Sequence, residues 1–233
     1  MISIIIPCLN EEKYLPRLLR SIQSQDFLNF EIIISDGNSK DATLEIAKKY
    51  KCKIITSKKR SPAHQRNSGA KIAKGRILLF LDADTILPKK FLSCVTKEFS
   101  KKNLDIAGFY FKPDSCKLIY KFYSHIYKDI CRPAQYIKPV SMGAGIMIKT
   151  KLHKKIKGFD TSIIIGEDHD YVQRACKISK FRIIKSSKIF YSVRRFEKHG
   201  AFKTLIRWIY CIIYVLIKGP IKKQVINYEF GNN

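Results

Sequence analysis

The sequence predicts an α/β fold: a Rossmann-like, mainly parallel sheet flanked by helices, followed by a C-terminal amphipathic helical segment. Three observations predict it. The first 85 residues alternate short apolar runs with helical patterns four times, as crossover-connected parallel strands do. The run Ile77-Leu78-Leu79-Phe80-Leu81 carries no charge in its middle, as a strand buried on both faces must. Polar and acidic residues collect just beyond the runs, where open α/β sheets bind ligands.

Taken in order, Ser3-Ile4-Ile5-Ile6-Pro7 reads as the first strand, ended by a proline that cannot donate to a ladder. Cys8 to Glu12 form a loop, with Asn10 a candidate N-cap. Leu15, Leu18, Leu19 and Ile22 share one helical face, and Pro16 moves the helix start to near Leu15. Phe30 to Ser35 is a second strand, ending in the dense turn signal Asp36-Gly37-Asn38-Ser39-Lys40-Asp41 before a helix to about Tyr50. Lys53 to Thr56 is a third strand. Ser61-Pro62 opens a helix that runs to Lys74 and stops at Gly75. After the fourth strand, Thr85 to Pro88 reads as leading into a helix carrying Phe91, Leu92, Val95 and Phe99.

Asp105 to Phe111 is a further strand, and residues 112–139 are aromatic and basic with no clear single period. Val140 to Ile148, with Gly143 and Gly145, reads as a strand that another chain segment approaches closely. Gly166-Glu167-Asp168-His169-Asp170 opens a helix, and Phe181 to Ile184 and Lys188 to Val193 read as two short edge strands. Residues 1–198 form one catalytic-sized domain. Residues 199–233 differ: Trp208 to Ile217 is uncharged, flanked by Lys203, Arg207, Lys218, Lys222 and Lys223. It is too short to span a bilayer and suits either a helix on an anionic membrane surface or one docked on the domain.

The net charge of +26 over 233 residues calls for an anionic partner: nucleic acid, anionic lipid or phosphorylated ligand. The seven cysteines form no C-x-x-C pair or zinc pattern, so a reducing, cytoplasmic compartment is the default. Met1-Ile2-Ser3 enters an apolar run with no basic leader, so no signal peptide is expected.

The chemistry gathers at predicted strand ends: Asn10-Glu11, Asp36, Asp82-Ala83-Asp84 and Gly166-Glu167-Asp168. An Asp-x-Asp after a buried strand can hold a hard divalent cation whose other ligands are water and phosphate, or it can form a turn. Asp36 and Asp41 could equally cap a turn and a helix, and Glu167 and Asp168 could complement a helix N-terminus. Arg194-Arg195 beside a diphosphate would add charge-assisted hydrogen bonds, or the pair could be charged surface.

Seven motifs now stand in order: Ser3 to Glu11, Asp36-Gly37-Asn38-Ser39-Lys40-Asp41-Ala42-Thr43, Arg66-Asn67-x-Gly69, Ala73-Lys74-Gly75, Leu81-Asp82-Ala83-Asp84, Gly158-Phe159-Asp160 and Gly166-Glu167-Asp168-x-Asp170. On these the chain resembles the family 2 glycosyltransferases, with the GT-A fold, over residues 2 to about 195. The resemblance implies an inverting, non-processive transferase that takes one sugar from a nucleotide-sugar donor. Pro7, Leu9, Asn10, Glu11, Asp36, Asn38, Arg66, Asp82 and Ala83 would line the nucleotide. Asp84 would bind Mg²⁺ or Mn²⁺ on the diphosphate, and Asp168 would be the general base. Glu167, Arg194 and Arg195 would border the diphosphate or acceptor. Ala42 stands where many members have Gly, and the Q-x-x-R-W signature of processive synthases is missing, Trp208 following Arg207 without the Gln.

Two rivals remain. A nucleic-acid-binding protein would suit the charge, but no reading module is present, so nucleic acid is not the expected partner. A sugar-nucleotide nucleotidyltransferase would need a Gly-rich loop where Pro7-Cys8-Leu9-Asn10 stands. The acceptor is a glycan or a polyprenyl-linked molecule, met in the latter case at the cytoplasmic face of a membrane.

Overall fold

Alternation along the first strand, β1 (Ile2–Cys8), sets the layering. Side chains of a strand point to opposite faces in turn. Ile4 and Ile6 enter one core with Leu15, Leu18, Leu19 and Ile22, while Ile5 enters the other with Ala63, Phe80 and Tyr171. In this computed structural model residues 1–57, 59–137, 139, 144–204, 206, 210, 214, 219 and 221–222 are described.

The elements follow as α1 (Leu15–Gln23), β2 (Phe30–Asp36), α2 (Thr43–Lys49), β3 (Lys53–Thr56), α3 (Pro62–Ile72), β4 (Ile77–Leu81), β5 (Thr85–Ile86) and α4 (Phe91–Lys101). Then come β6 (Ile106–Pro113), α5 (Leu118–Ile137), β7 (Gly145–Lys149), α6 (Thr150–Lys155), α7 (Glu167–Cys176), β8 (Phe181–Tyr191) and α8 (Arg194–His199). The strands form one sheet in the order β3-β2-β1-β4-β7-β6-β8-β5. β3, β2, β1 and β4 are mutually parallel, β6 and β8 pair parallel, and β7 runs antiparallel between β4 and β6. The sheet is therefore mixed but mainly parallel, and its first half is doubly wound.

α3 lies unusually close to the sheet. A Cβ on Gly69 would sit 2.5 Å from Ile5 Cγ2, so only glycine allows this approach. Because α3 enters from the carboxyl end of β3, its first turn hangs over the strand ends, and Gln65 there donates to the carbonyls of Cys8 (2.6 Å) and Ser35 (3.2 Å).

Several expectations need correction. Asn10 is not an N-cap: it has φ 52°, and α1 begins at Leu15 with Pro16 in its first turn. Thr85 and Ile86 are a strand paired with Tyr191 and Phe190, not a helix start. α3 ends at Ile72, short of Lys74. Residues 112–139 hold a twenty-residue helix, α5, despite Pro133. The two edge strands are one strand, β8, whose register against β6 shifts between Phe109 and Tyr110. The close approach expected at Gly145 is present, since a Cβ there would lie 2.4 Å from Ile189 Cδ1. Gly143 and most of Trp208 to Ile217 lie outside the described residues.

Candidate active site

The loops after β1 and β2 are sewn into one surface. Cys8 and Asp36 end the paired strands side by side. Asn10 N donates to Ser39 Oγ (2.9 Å), Lys40 N to Asn10 Oδ1 (2.9 Å), Glu11 N to Thr43 Oγ1 (2.8 Å) and Glu12 N to Asp41 Oδ2 (3.0 Å). The two motifs, 30 residues apart, are thus one structure. Asp36 is fully buried and accepts from the amides of Asn38 (2.8 Å) and Ser39 (2.9 Å), so it shapes the loop. Asn38, at φ 71°, is exposed. Ala83 faces the core, which leaves only its backbone toward a ligand.

Two arginines collect the acids. Arg66, just past the first turn of α3, is 3% exposed and pairs with Asp82 Oδ1 (2.9 Å) and Glu167 Oε1 (2.7 Å). So covered a guanidinium lies beneath the site and acts by holding those two carboxylates. Arg194, at the start of α8, grips Glu11 with two hydrogen bonds (2.8 and 2.7 Å) and Asp84 Oδ2 with its Nε (2.9 Å). Its guanidinium also lies over the Tyr14 ring, 4.5 Å from the centroid. The hydrogen bond from Ser192 N to the Asp84 carbonyl (3.1 Å) ties the end of β8 to the Asp-x-Asp, which brings Arg194 within reach. Asp168 takes a hydrogen bond from His169 N (2.9 Å) beside Glu167 on α7.

Burial and crowding shape the protonation. Burial lifts Glu11 to about 7, against the pull of Arg194. Burial also raises Asp84, opposed by Arg194 and reinforced by Asp82. Glu167 is raised by burial and by Asp168, with Arg66 opposing. Burial works against the charge on Arg66, but Asp82 and Glu167 outweigh it and keep the guanidinium charged.

A third layer supports these groups, and sequence reading assigned it no role. Asn67 exchanges two hydrogen bonds with the Phe159 backbone, both 2.9 Å. The Phe159 ring stacks on Tyr171 at 3.8 Å between centroids and lies under Arg66 at 5.4 Å. Gly158 has φ +69°, where an L side chain is strained, and a Cβ there would also meet Asn67 Oδ1 at 2.5 Å. Gly158-Phe159-Asp160 is therefore a platform beneath the Arg66 pairs. Its one signal in the sequence is that Arg66-Asn67-x-Gly69 and Gly158-Phe159-Asp160 stand among the seven motifs of the resemblance.

The donor set suits a hard cation shared with phosphate. Among the described residues no three His, Cys, Asp or Glu side chains group to hold a metal. Asp84 and Asp82 supply only carboxylate oxygens. One or two carboxylates plus phosphate oxygens is how Mg²⁺ is commonly held.

The family model described as Glycosyl transferase family 2 matches residues 3–165. The chain belongs to glycosyl transferase family 2. Among its family 2 relatives is an uncharacterized glycosyltransferase of Haemophilus influenzae, 28% identical over 191 residues, covering 78% of this chain and 64% of that protein. The poly(ribitol-phosphate) beta-N-acetylglucosaminyltransferase TarS of Staphylococcus aureus is 33% identical over 112 residues, covering 45% of this chain and 20% of TarS. The chain thus spans less than two thirds of the length of either relative. The fold matches TarS residues 1–349 in complex with UDP-GlcNAc, with TM-score 0.68 and 22% identity, covering 82% of this chain and 58% of that one. It also matches the mannosyltransferase PcManGT of Pyrobaculum calidifontis in complex with GDP-Man and Mn²⁺, with TM-score 0.68 and 18% identity, covering 90% and 64%. The architecture is GT-A.

Proposed function

We propose that the protein moves one sugar, with inversion, from a UDP- or GDP-sugar to an acceptor hydroxyl on a glycan or a polyprenyl-linked molecule. One observation carries this reading: Arg66 and Arg194 draw Glu11, Asp82, Asp84 and Glu167, from three separate places in the chain, to the carboxyl edge of the sheet. Acids so placed suit a ligand that brings its own cations and hydroxyls. The relatives support the donor class, since complexes with UDP-GlcNAc and with GDP-Man and Mn²⁺ share the fold. Their names support the acceptor class: one acts on GalNAc(5)-diNAcBac-PP-undecaprenol, in Campylobacter jejuni, and another on poly(ribitol-phosphate).

The loops 7–11 and 36–38, with Asp82, cradle the nucleoside. Asp84 holds Mg²⁺ or Mn²⁺, which when bound neutralises charge on the departing diphosphate. Asp168 accepts the acceptor proton as the hydroxyl oxygen bonds to the anomeric carbon and the sugar–diphosphate bond breaks. Arg194 and Arg195 meet the diphosphate side, and Arg66 keeps Asp82 and Glu167 in place. The reaction runs at the cytoplasmic face of a membrane when the acceptor is lipid-linked.

The test is product analysis with UDP- and GDP-sugars. Release of nucleoside diphosphate with a glycosylated acceptor supports the reading; pyrophosphate formed instead from a nucleoside triphosphate and a sugar 1-phosphate, with no transfer from the nucleotide-sugars, makes the protein a nucleotidyltransferase.

A further inference from the structure

Four large apolar side chains in the first half of α5 are on its outside. Leu118 (80% exposed), Phe122 (63%) and Ile126 (39%) recur every fourth residue, with Ile119 (46%) beside them, so they form one stripe along the helix. The opposite side of the helix is bound to the domain. Tyr120 and Tyr123 pack on Phe196 (5.4 and 5.8 Å), Ser124 Oγ donates to the Phe111 carbonyl (2.6 Å), and Gln135 Oε1 accepts from Ile183 N (3.1 Å). Between stripe and domain runs a basic row, Lys121, His125, Lys128 and Arg132, again at one-turn spacing. Asp129 is the one acid of the helix.

A second stripe follows α8. Phe202 (73%), Ile206 (51%) and Tyr210 (47%) are also four residues apart and exposed. The Phe196 contacts and the Lys117–Glu197 pair (3.8 Å) make the two segments neighbours. Eight of the twelve large exposed apolar side chains among the described residues fall in these two segments, which is a patch and not scatter.

We propose that α5, with Phe202, Ile206 and Tyr210, forms a docking surface for an anionic lipid bilayer. An outward apolar stripe of Leu, Ile and Phe flanked by Lys and Arg is the composition of a helix that lies in a membrane interface. The net charge of +26 adds attraction to an anionic leaflet. α5 contacts α8 at Phe196, two residues from Arg194, so the surface lies beside the Asp84 end of the site. A lipid-linked acceptor would there meet the transferase without leaving the bilayer. This deepens the proposed function by naming where such an acceptor is met.

The test is co-sedimentation with phosphatidylcholine vesicles, with and without about 30% phosphatidylglycerol. The wild type should pellet with the anionic vesicles and less so in high salt. The variant Leu118→Ser/Phe122→Ser/Ile126→Ser should lose about tenfold or more in partitioning, with its melting temperature unchanged because the three side chains are exposed. Lys121→Gln/His125→Gln/Arg132→Gln leaves the apolar stripe intact and should weaken the preference for anionic lipid. The proposal is overturned if the wild type stays in the supernatant, if both variants bind like the wild type, or if the stripe variant only converts a dimer to a monomer, which would make this face a contact between copies. Nucleotide-induced stabilisation does not involve these residues. Vesicle binding without it would sink the proposed function alone, and its presence without vesicle binding would sink the docking surface alone.

Discussion

Replacing Arg66 by Met tests the load this one side chain carries. The guanidinium is 3% exposed and serves two carboxylates, Glu167 at 13% exposure and Asp82 at 34%. Breaking a buried ion pair by removing one partner costs about 3–5 kcal/mol, because the other charge stays buried. The Asp82 pair counts for little here, since water reaches that carboxylate and screens it. Glu167 supplies most of the loss, which we put at about 3 kcal/mol near neutral pH. That corresponds to a drop in melting temperature of about 6–12 °C for a domain of this size.

The pH dependence makes this expectation sharper. Glu167 already titrates above the ordinary carboxylate range, and losing Arg66 lifts it further. A carboxyl raised in the folded state favours folding below its unfolded pKa, and that contribution is lost as pH rises through the folded value. The defect of Arg66→Met should therefore be largest at pH 8 and shrink toward pH 5. Urea unfolding followed by circular dichroism at both values reads it directly. Adding Glu167→Gln should recover much of the stability. A defect under about 0.5 kcal/mol, or one that grows on acidification, would refute the reasoning.

Three further outcomes are expected. Glu11, at about 7 by burial, favours folding below its ordinary value and loses that contribution as pH climbs through 7, up to about 3 kcal/mol; the stability–pH profile of Glu11→Gln should lack this fall, and parallel profiles would contradict it. Gly158→Ala should cost about 1–3 kcal/mol through positive φ and the clash with Asn67, read as a lower urea midpoint, whereas a neutral result would mean the turn relaxes freely. Asp168→Asn should lower turnover on a sugar-hydroxyl acceptor roughly 10²-fold or more, while a phosphate acceptor, already ionised, would keep most of the rate; wild-type turnover on a sugar hydroxyl would remove the residue from its role as base.

The parts of the molecule visible in the sequence are those where local pattern and tertiary role agree. β1, β4 and the second half of β2 are buried on both faces, so their apolar runs announced them, and crossover helices left parallel order as the natural solution. α5 was hidden because its apolar residues face outward as well as inward, which blurs the single period that marks an ordinary surface helix, and Pro133 argued against a helix at all. β8 looked like two strands because Lys185, Ser186 and Ser187 bulge away from β6, an event that depends on the partner strand.

At the site, residue identity was legible and pairing was not. Glu11 and Arg194 lie 183 positions apart, and only β8 returning to the Asp-x-Asp makes them neighbours. Arg66 and Arg194 meet four of the acids from within the chain, a pairing that no local pattern announces. Asp36 shows the converse: a residue chosen for nucleoside binding whose side chain is engaged by its own loop. Residues 221–222 return to the turn before α7, where Ile164 N donates to the Ile221 carbonyl at 2.8 Å, a contact no local pattern announces.

The most direct measurement is thermal unfolding with UDP, GDP and ADP, each with and without Mn²⁺, on the wild type and on Asp84→Ala. A ligand at a hundred times its Kd adds about 2.7 kcal/mol of stability, well within reach of a melting scan. Stabilisation by UDP or GDP that needs Mn²⁺ and vanishes in Asp84→Ala is the expected result, and it would name the donor's nucleotide. If no nucleotide stabilises the wild type while duplex DNA does so in low salt, the acids gathered by Arg66 and Arg194 are not a sugar-nucleotide site.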